Sequence, residues 1–221
     1  MKRLLIFDLD GTLLNTIADL AASTNYALQK HGFPTHELHE YNYFVGNGIN
    51  KLFERALPEG EKTEENIRKV REVFLVHYNI HNADLGRPYP GIPELLAALQ
   101  EKGIALAVAS NKYQAGAEKL IAHFFPDIRF VAVLGQREGV PTKPDPAVVE
   151  EIIARTDVKA KDVLYIGDSN VDMQTAANSG VDACGVAWGF RPVSELEQYK
   201  PRFIAHEAKD ILRFALSEEG A

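Results

Sequence analysis

The architecture follows from one segment, Leu4-Leu5-Ile6-Phe7-Asp8-Leu9-Asp10-Gly11-Thr12-Leu13, in a chain of 221 residues. Four consecutive apolar residues that end at a turn signal are typical of a strand buried on both faces of a parallel sheet. Asp8 and Asp10 then lie at the carboxyl end of that strand, where open parallel sheets bind their ligands. Because buried carboxylates are costly without a partner, the pair indicates either a capped Asp-Gly turn or a site for a cation.

Beyond residue 92 the sequence alternates between helix and strand patterns. Apolar runs predict strands over residues 104–109, 129–134, 162–166 and 181–187. Helical spacing and boundary residues predict helices from Pro93 to Gly103, over 114–124, after Asp145-Pro146, over 171–179 and around 211–216. Strands that alternate with helices of this length predict an α/β fold with a doubly wound parallel sheet.

The residues between the first strand and this alternating region have a different pattern. Helical periodicity, as in Ile67, Val70, Phe74 and Tyr78, replaces the strand signals, and a turn-rich segment follows at 85–91. We therefore predict a helical subdomain over residues 15–85, inserted between residues 1–14 and 86–221 of the sheet-bearing core.

Composition disfavours several classes of function. The formal net charge of −7 argues against nonspecific binding to nucleic acid or anionic membranes, although a local positive site for a small anion stays open. No stretch is long enough to span a bilayer. The single cysteine, Cys184, permits no intrachain disulfide, fits a reducing compartment and is expected to be buried. These features predict a cytoplasmic protein.

Polar residues follow four of the predicted strands at the point where each ends. They are Asp8 and Asp10, then Ser110 and Asn111, then Lys143 in a longer loop, and finally Asp168 and Asp172. In a parallel sheet these points share one edge, so the side chains are expected to meet. Carboxylates are hard ligands that suit Mg²⁺, whereas a serine and a lysine can hold a phosphoryl group. A carboxylate nucleophile with a second acid nearby would support phosphoryl transfer through an aspartyl phosphate.

The sequence resembles the haloacid dehalogenase superfamily in four motifs that cover nearly the whole chain. They are residues 8–13, Ser110, Lys143-Pro144 and residues 167–172, in the order typical of that family. Within the superfamily the sequence is most similar to phosphoglycolate phosphatases, with support from residues 44–48 and 185–191. The resemblance implies a Rossmann-like core with an inserted helical cap. It also implies a Mg²⁺-dependent phosphatase whose first candidate substrate is 2-phosphoglycolate.

The resemblance also implies a role for each motif residue. Asp8 would be the nucleophile and a metal ligand, whereas Asp10 would be the general acid/base and offer its backbone carbonyl to the metal. Ser110 and Lys143 would hold the phosphoryl group, with help from backbone amides near Asp10 and Asn111. Asp168 would bind the metal, and Asp172 would act on it through water or orient Lys143.

The inserted region carries a second set of candidate residues. The segment Gly46-Asn47-Gly48-Ile49-Asn50-Lys51 resembles a phosphate-binding glycine loop, but a lysine replaces the final glycine and no strand precedes it. The family resemblance favours a cap loop that faces the substrate, which makes Asn47 and Gly48 candidate binding residues. Lys51 and Arg55 would then contact a substrate carboxylate, unless they are simply solvated helix charges.

The motifs are also compatible with three alternatives to a phosphatase, namely a mutase, a dehalogenase and a non-catalytic binding protein. A sugar-phosphate mutase of the same superfamily typically has a histidine shortly after the first motif, where this chain has residues 18–21, Ala-Asp-Leu-Ala. A dehalogenase does not need Asp10. A non-catalytic phosphometabolite-binding protein would be favoured by loss of motif residues, all of which are present. The expected partner is therefore a small phosphate ester rather than nucleic acid or a membrane, for a monomer or a homodimer.

Overall fold

The structure is a computed structural model that describes residues 1–217. Within this range, the strands in chain order are β1 (Leu4–Phe7), β2 (Leu14–Asn15), β3 (Arg87–Pro88), β4 (Ala105–Tyr113), β5 (Phe130–Gln136), β6 (Val163–Gly167), β7 (Asp182–Val186) and β8 (Phe203–Ala205). The α-helices in the same range are α1 (Ile17–Lys30), α2 (Tyr41–Phe44), α3 (Ile49–Ala56), α4 (Glu64–His81), α5 (Ile92–Glu101), α6 (Gln114–Phe124), α7 (Ala147–Ala154), α8 (Asn170–Asn178), α9 (Val193–Glu197) and α10 (Ala208–Leu216). Short 3-10 turns lie at Leu38–Glu40 and Ala160–Asp162.

The core is a six-stranded parallel sheet in the order β5-β4-β1-β6-β7-β8. β1 lies in the middle, and its four residues are fully buried because helices cover both faces. Leu5 and Phe7 pack in a cluster with α5, α6 and α10, whereas Leu4 and Ile6 pack in a cluster with α7 and α8. Each such side chain contributes roughly 1.5–3 kcal/mol when fully buried. The prediction of a doubly wound α/β core is confirmed.

The strand boundaries differ from the prediction where local pattern gives no signal. β4 extends to Tyr113, beyond the predicted residues 104–109, because its register shifts and it pairs again with β5 at Gln136. β8 was not predicted, since three residues at a sheet edge are too few to show periodicity. The antiparallel pair β2–β3 was also missed, for it has only two residues in each strand.

Helices α1 to α4 form a cap with its own apolar core. Val70, Phe74 and Tyr78 are buried as predicted from their spacing, and the rings of Phe74 and Tyr78 stack with centroids 4.9 Å apart. The first turn of α4 is fixed by Thr63, whose side chain accepts a hydrogen bond from the backbone N–H of Asn66. An inserted helical cap is therefore present, in agreement with the predicted fold.

The cap is connected to the core by two chain passages that lie side by side. β2 and β3 pair where the chain leaves the core and where it returns. In α1 the buried Asp19 carboxylate accepts hydrogen bonds from the backbone N–H groups of Leu85, at 2.9 Å, and Gly86, at 2.7 Å. This bond pair ties the start of the cap to its end. The predicted boundaries at residues 14/15 and 85/86 adjoin the paired strands and stay predictions.

The structure also bears on the expectations for Cys184 and for membrane-spanning segments. Cys184 is a free, fully buried residue of β7, as expected for an apolar filler. Among residues 1–217, no helix combines the length and the apolar character needed to cross a membrane.

Candidate active site

The candidate active site lies at the carboxyl edge of the sheet, where the predicted polar residues meet. Strand register explains this, because Phe7 pairs with Val108 on one side and Ile166 on the other. Asp8 therefore leaves the sheet beside the ends of both neighbours. Asp10 is partly exposed. Six other residues there are buried, with exposed fractions of 8% or less, namely Asp8, Ser110, Asn111, Lys143, Asp168 and Asp172.

Lys143 is the positive centre of this cluster. Its Nζ lies 2.9 Å from Asp8 Oδ1 and 2.7 Å from Asp172 Oδ1, and it donates to the backbone carbonyl of Ala109 at 3.0 Å. Burial alone would lower the pKa of Lys143, but the charges of Asp172 and Asp8 outweigh it and hold this pKa well above its usual value. The lysine is therefore a fixed cation against the candidate nucleophile.

Three carboxylates surround this lysine. Asp8, Asp168 and Asp172 have carboxylate oxygens that all lie within 4.8 Å of one another. Burial, with the nearby charge of Asp172, raises the pKa of Asp8 to about 7 and the pKa of Asp168 well above its usual value. One lysine cannot balance three ionised carboxylates, so the cluster without a cation retains protons and would need a further positive charge to ionise fully. A small cation with a preference for oxygen, such as Mg²⁺, fits this donor set.

The Asp172 side chain is already bonded on both oxygens. Oδ1 accepts from Lys143 and from the hydroxyl of Tyr165 at 3.2 Å, while Oδ2 accepts from Ser169 Oγ at 2.6 Å. Ser169 and Asp172 together form the capping box at the start of α8. The helix start thus fixes the carboxylate that orients Lys143.

Asp168 is held by backbone that approaches it very closely. The N–H of Phe190 donates to Asp168 Oδ2 at 2.7 Å. A Cβ at Gly11 would lie 2.3 Å from that same oxygen, and a Cβ at Gly189 would lie 2.1 Å from the Cβ of Asp168. Gly11 also has a φ of +90°, which glycine adopts most readily. The glycine of the first motif is therefore required by the position of the distant Asp168.

Asp10 lies beside the carboxylate cluster with different partners. Thr16 Oγ1 donates to Asp10 Oδ1 at 2.6 Å, and Lys112 Nζ lies 3.0 Å from each carboxylate oxygen. Lys112 is buried and was missed in the sequence, although it follows Ser110-Asn111 by one residue at the end of an apolar strand. The available signal was its place beside Ser110 and Asn111, just beyond the predicted strand of residues 104–109.

Ser110 and Asn111 have distinct positions on β4. Ser110 Oγ accepts from the backbone N–H of Lys112 at 3.2 Å and lines the cavity described below. Asn111 Nδ2 donates to the carbonyls of Lys143 and Gly46, both at 3.1 Å, and its Oδ1 accepts from the Lys143 N–H at 2.9 Å. Asn111 therefore fastens the Lys143 loop and a cap loop to the sheet edge.

A cavity separates the cap from these residues. Its empty space is about 580 Å³, including the part that opens to solvent. The core contributes polar and charged groups, namely Asp8, Asp10, Ser110, Asn111, Lys112, Asp168, Ser169 and Arg191 with Phe190, and the cap contributes Leu20, Val45, Gly46, Gly48, Ile49 and Leu52. The cavity is thus charged on the core side and apolar on the cap side.

Of the four candidate residues in the cap, only Gly48 lies in the cavity wall. Arg55 points into the cap, where it donates to Asn47 Oδ1 at 2.8 Å and to the carbonyl of Phe44 at 2.9 Å. Lys51 is 54% exposed and pairs with Glu54 at 2.6 Å. The expected contacts of Asn47, Lys51 and Arg55 with substrate therefore differ from their observed placement. The Arg55 guanidinium donates hydrogen bonds to acceptors within the cap, and Lys51 faces solvent.

Comparisons with known proteins show which family the chain belongs to. Residues 5–186 match the model of the haloacid dehalogenase-like hydrolase family. The chain is 30% identical to a phosphoglycolate phosphatase of Vibrio parahaemolyticus over 215 residues, which cover 95% of this chain and 94% of the relative. It is 35% identical to a phosphoglycolate phosphatase of Agrobacterium fabrum over 201 residues, covering 89% and 86% of the two chains.

A solved structure shares the same fold. A candidate phosphoglycolate phosphatase from Lactobacillus delbrueckii subsp. bulgaricus superposes with a TM-score of 0.91 at 32% identity, over 99% of this chain and 100% of the other. Together with the family match over most of the sequence, these relatives identify the class of the protein. The chain therefore belongs to the haloacid dehalogenase-like hydrolases, as a phosphoric monoester hydrolase similar to the phosphoglycolate phosphatases.

Proposed function

We propose that the protein hydrolyses a small phosphorylated metabolite, with 2-phosphoglycolate as the first candidate, in a Mg²⁺-dependent reaction through an aspartyl phosphate. The observation that carries the proposal is the Lys143 ammonium between Asp8 and Asp172, where Asp8 lines a cavity between core and cap. The choice of 2-phosphoglycolate rests on the names of the relatives in Vibrio and Agrobacterium. The single buried cysteine supports a reducing, cytoplasmic setting.

Asp8 is the proposed nucleophile. One of its oxygens would form a bond to phosphorus while the ester bond to the leaving oxygen breaks. Lys143 supports this step, because its charge 2.9 Å from Asp8 reduces the repulsion between the carboxylate and an incoming phosphate dianion. Ser110, at the adjacent strand end, would donate a hydrogen bond to a phosphoryl oxygen.

Asp10 is the proposed general acid and base. It would first give a proton to the leaving oxygen, which departs as an alcohol. It would then take a proton from water as the water oxygen attacks phosphorus and the Asp8 carboxylate is released. Its contacts with Thr16 and Lys112 support this role, since a proton-transfer group must be held in position.

Asp8, Asp168 and the backbone carbonyl of Asp10 are the proposed holders of Mg²⁺. When bound, the ion would favour the ionised carboxylates and balance their charge and that of the phosphoryl group. Because both oxygens of Asp172 already accept hydrogen bonds, we assign it to the orientation of Lys143, with any contact to the metal made through water.

The test is the release of inorganic phosphate from 2-phosphoglycolate with and without Mg²⁺, for the native protein and Asp8→Asn. We expect metal-dependent turnover that falls by ~10³-fold or more in the variant, because the nucleophile is removed. The variant should remain folded, since a neutral side chain relieves the burial of a charge whose pKa is already raised to about 7. Turnover by folded Asp8→Asn near the native rate would refute the covalent route, and lack of turnover on any phosphate ester would refute the function.

A further inference from the structure

Two cations line the cavity within the described part of the chain, Lys112 and Arg191. Lys112 is bonded to both oxygens of Asp10 and is therefore already neutralised. Arg191 belongs to the core and follows Phe190, whose backbone N–H is bonded to Asp168. The backbone next to Arg191 is thus anchored on the carboxylate cluster while its side chain extends along the cavity wall.

The contacts of Arg191 leave donors for a ligand. Its Nη2 lies 3.4 Å from the carbonyl of Tyr43 in the cap, and its guanidinium lies 5.0 Å from the centre of the Tyr43 ring. Its carboxylate neighbour, Glu195, is 3.8 Å from Nε and also accepts from the N–H of Asn170. These are long contacts for a side chain that is only 12% exposed. Among residues 1–217, no protein acceptor is bonded to its Nη1.

An arginine with an open fork in a site for small phosphate esters suits a second anionic group on the substrate. Guanidinium binds carboxylates through two parallel hydrogen bonds, which gives direction as well as charge. Arg55 points into the cap but lies near Arg191. Burial lowers the pKa of Arg55, and the charge of Arg191 lowers it further, so the two arginines make this edge of the site positive. The apolar cap wall offers no competing acceptor from an acidic side chain.

We propose that Arg191 binds the carboxylate of the substrate and so selects phosphorylated hydroxy acids over phosphate esters that lack a second anion. This proposal rests on the proposed phosphatase function and deepens it. It replaces Lys51 and Arg55, which lie outside the cavity wall, as the residue that recognises the carboxylate. The alternative to this proposal is that Arg191 only makes a structural contact between the core and the cap, through Tyr43.

The test compares kcat/KM for 2-phosphoglycolate and ethyl phosphate, in which a methyl group replaces the carboxylate. For the native protein we expect a preference of ~100-fold for 2-phosphoglycolate, the size of a buried charged hydrogen-bond pair. In Arg191→Gln this preference should fall at least ~10-fold, through a higher KM for 2-phosphoglycolate, while kcat/KM for ethyl phosphate stays within ~3-fold. Arg191→Lys should restore part of the preference, because the charge returns without the planar fork.

The control variant is Arg68→Gln, which removes an exposed arginine of α4 that pairs with Glu72 and should change neither substrate. An equal loss on both esters in Arg191→Gln would show a structural contact and overturn the proposal. An unchanged preference would overturn it as well. If the native protein hydrolyses both esters equally, the phosphatase function stands and the carboxylate site is refuted. If it hydrolyses neither with Mg²⁺, the proposed function itself fails.

Discussion

The ammonium of Lys112 lies 3.0 Å from both carboxylate oxygens of Asp10, so the proposed general acid/base is held by a residue of the neighbouring strand β4. The pair is almost closed to solvent, with side chains 2% and 12% exposed. Lys112 Nζ also lies 4.9 Å from the ring of Tyr78, which belongs to cap helix α4. Lys112 therefore connects the acid/base to cap helix α4.

Replacement of Lys112 by methionine tests whether this lysine positions Asp10. The change keeps the length of the side chain but removes its charge and donors, so Asp10 would be held by Thr16 alone. We expect kcat to fall by ~10- to 100-fold on 2-phosphoglycolate and on ethyl phosphate alike, because general acid/base catalysis typically contributes 10²–10⁴-fold and depends on position.

Circular dichroism and thermal melting would verify that Lys112→Met is folded. Lys51→Met is the matched control, since Lys51 faces solvent and pairs with Glu54 on the same helix. A native kcat in folded Lys112→Met would show that Asp10 does not need this partner. A loss confined to 2-phosphoglycolate would instead assign Lys112 to the recognition of the carboxylate.

Replacement of Asp10 by asparagine separates its two proposed roles. The amide cannot transfer a proton, but the backbone carbonyl that would contact the metal remains. We expect hydrolysis of the phosphoenzyme to slow by ~10²-fold or more, whereas the affinity for Mg²⁺ changes by less than ~3-fold. Rapid-quench measurement of phosphoenzyme and a titration with Mg²⁺ would provide the two quantities. A similar loss in the rate of phosphoenzyme hydrolysis and in the affinity for Mg²⁺ would show that the Asp10 side chain binds the metal.

Binding of Mg²⁺ should release protons. Burial raises the pKa of Asp8 to about 7 and that of Asp168 well above its usual value, so the metal-free cluster retains protons near neutral pH. A divalent cation favours the charged carboxylates, so affinity should increase from pH 6 to pH 8. Calorimetry in two buffers of different ionisation enthalpy should indicate ~0.5–1 proton released per ion at pH 7. Equal enthalpies in both buffers would contradict the prediction, and Asp168→Asn should reduce the release.

The sequence was sufficient to predict that most of the candidate site residues lie together, because they follow directly on a local pattern. Asp8 comes after an apolar run, Ser110 ends another, and Asp168 follows a third. Parallel strands then place these positions at one edge whatever the details of packing. The roles of the residues came from the family resemblance and stay predictions.

The cap side of the site could not be predicted in the same way. Whether Lys51 or Arg191 faces the cavity depends on the rotation of α3 and on how the cap packs against the loop after β7, and neither has a local sequence signal. Lys112 was missed for a related reason. A lysine near a strand end is ordinarily exposed, and its burial follows from contacts with Asp10 and Tyr78 that are distant in sequence.

Asn111→Ala is expected to destabilise the fold rather than only weaken substrate binding. Its side chain satisfies the buried N–H and carbonyl of Lys143 and the carbonyl of Gly46, and alanine would leave these main-chain groups without their partner. We expect a loss of about 2 kcal/mol or more in the free energy of unfolding, since each unsatisfied buried group costs ~1–3 kcal/mol. Urea unfolding of Asn111→Ala beside Asn50→Ala, an exposed asparagine of α3, would measure it. A loss no larger than that of the Asn50 control, together with a raised KM, would show that Asn111 acts mainly on the substrate.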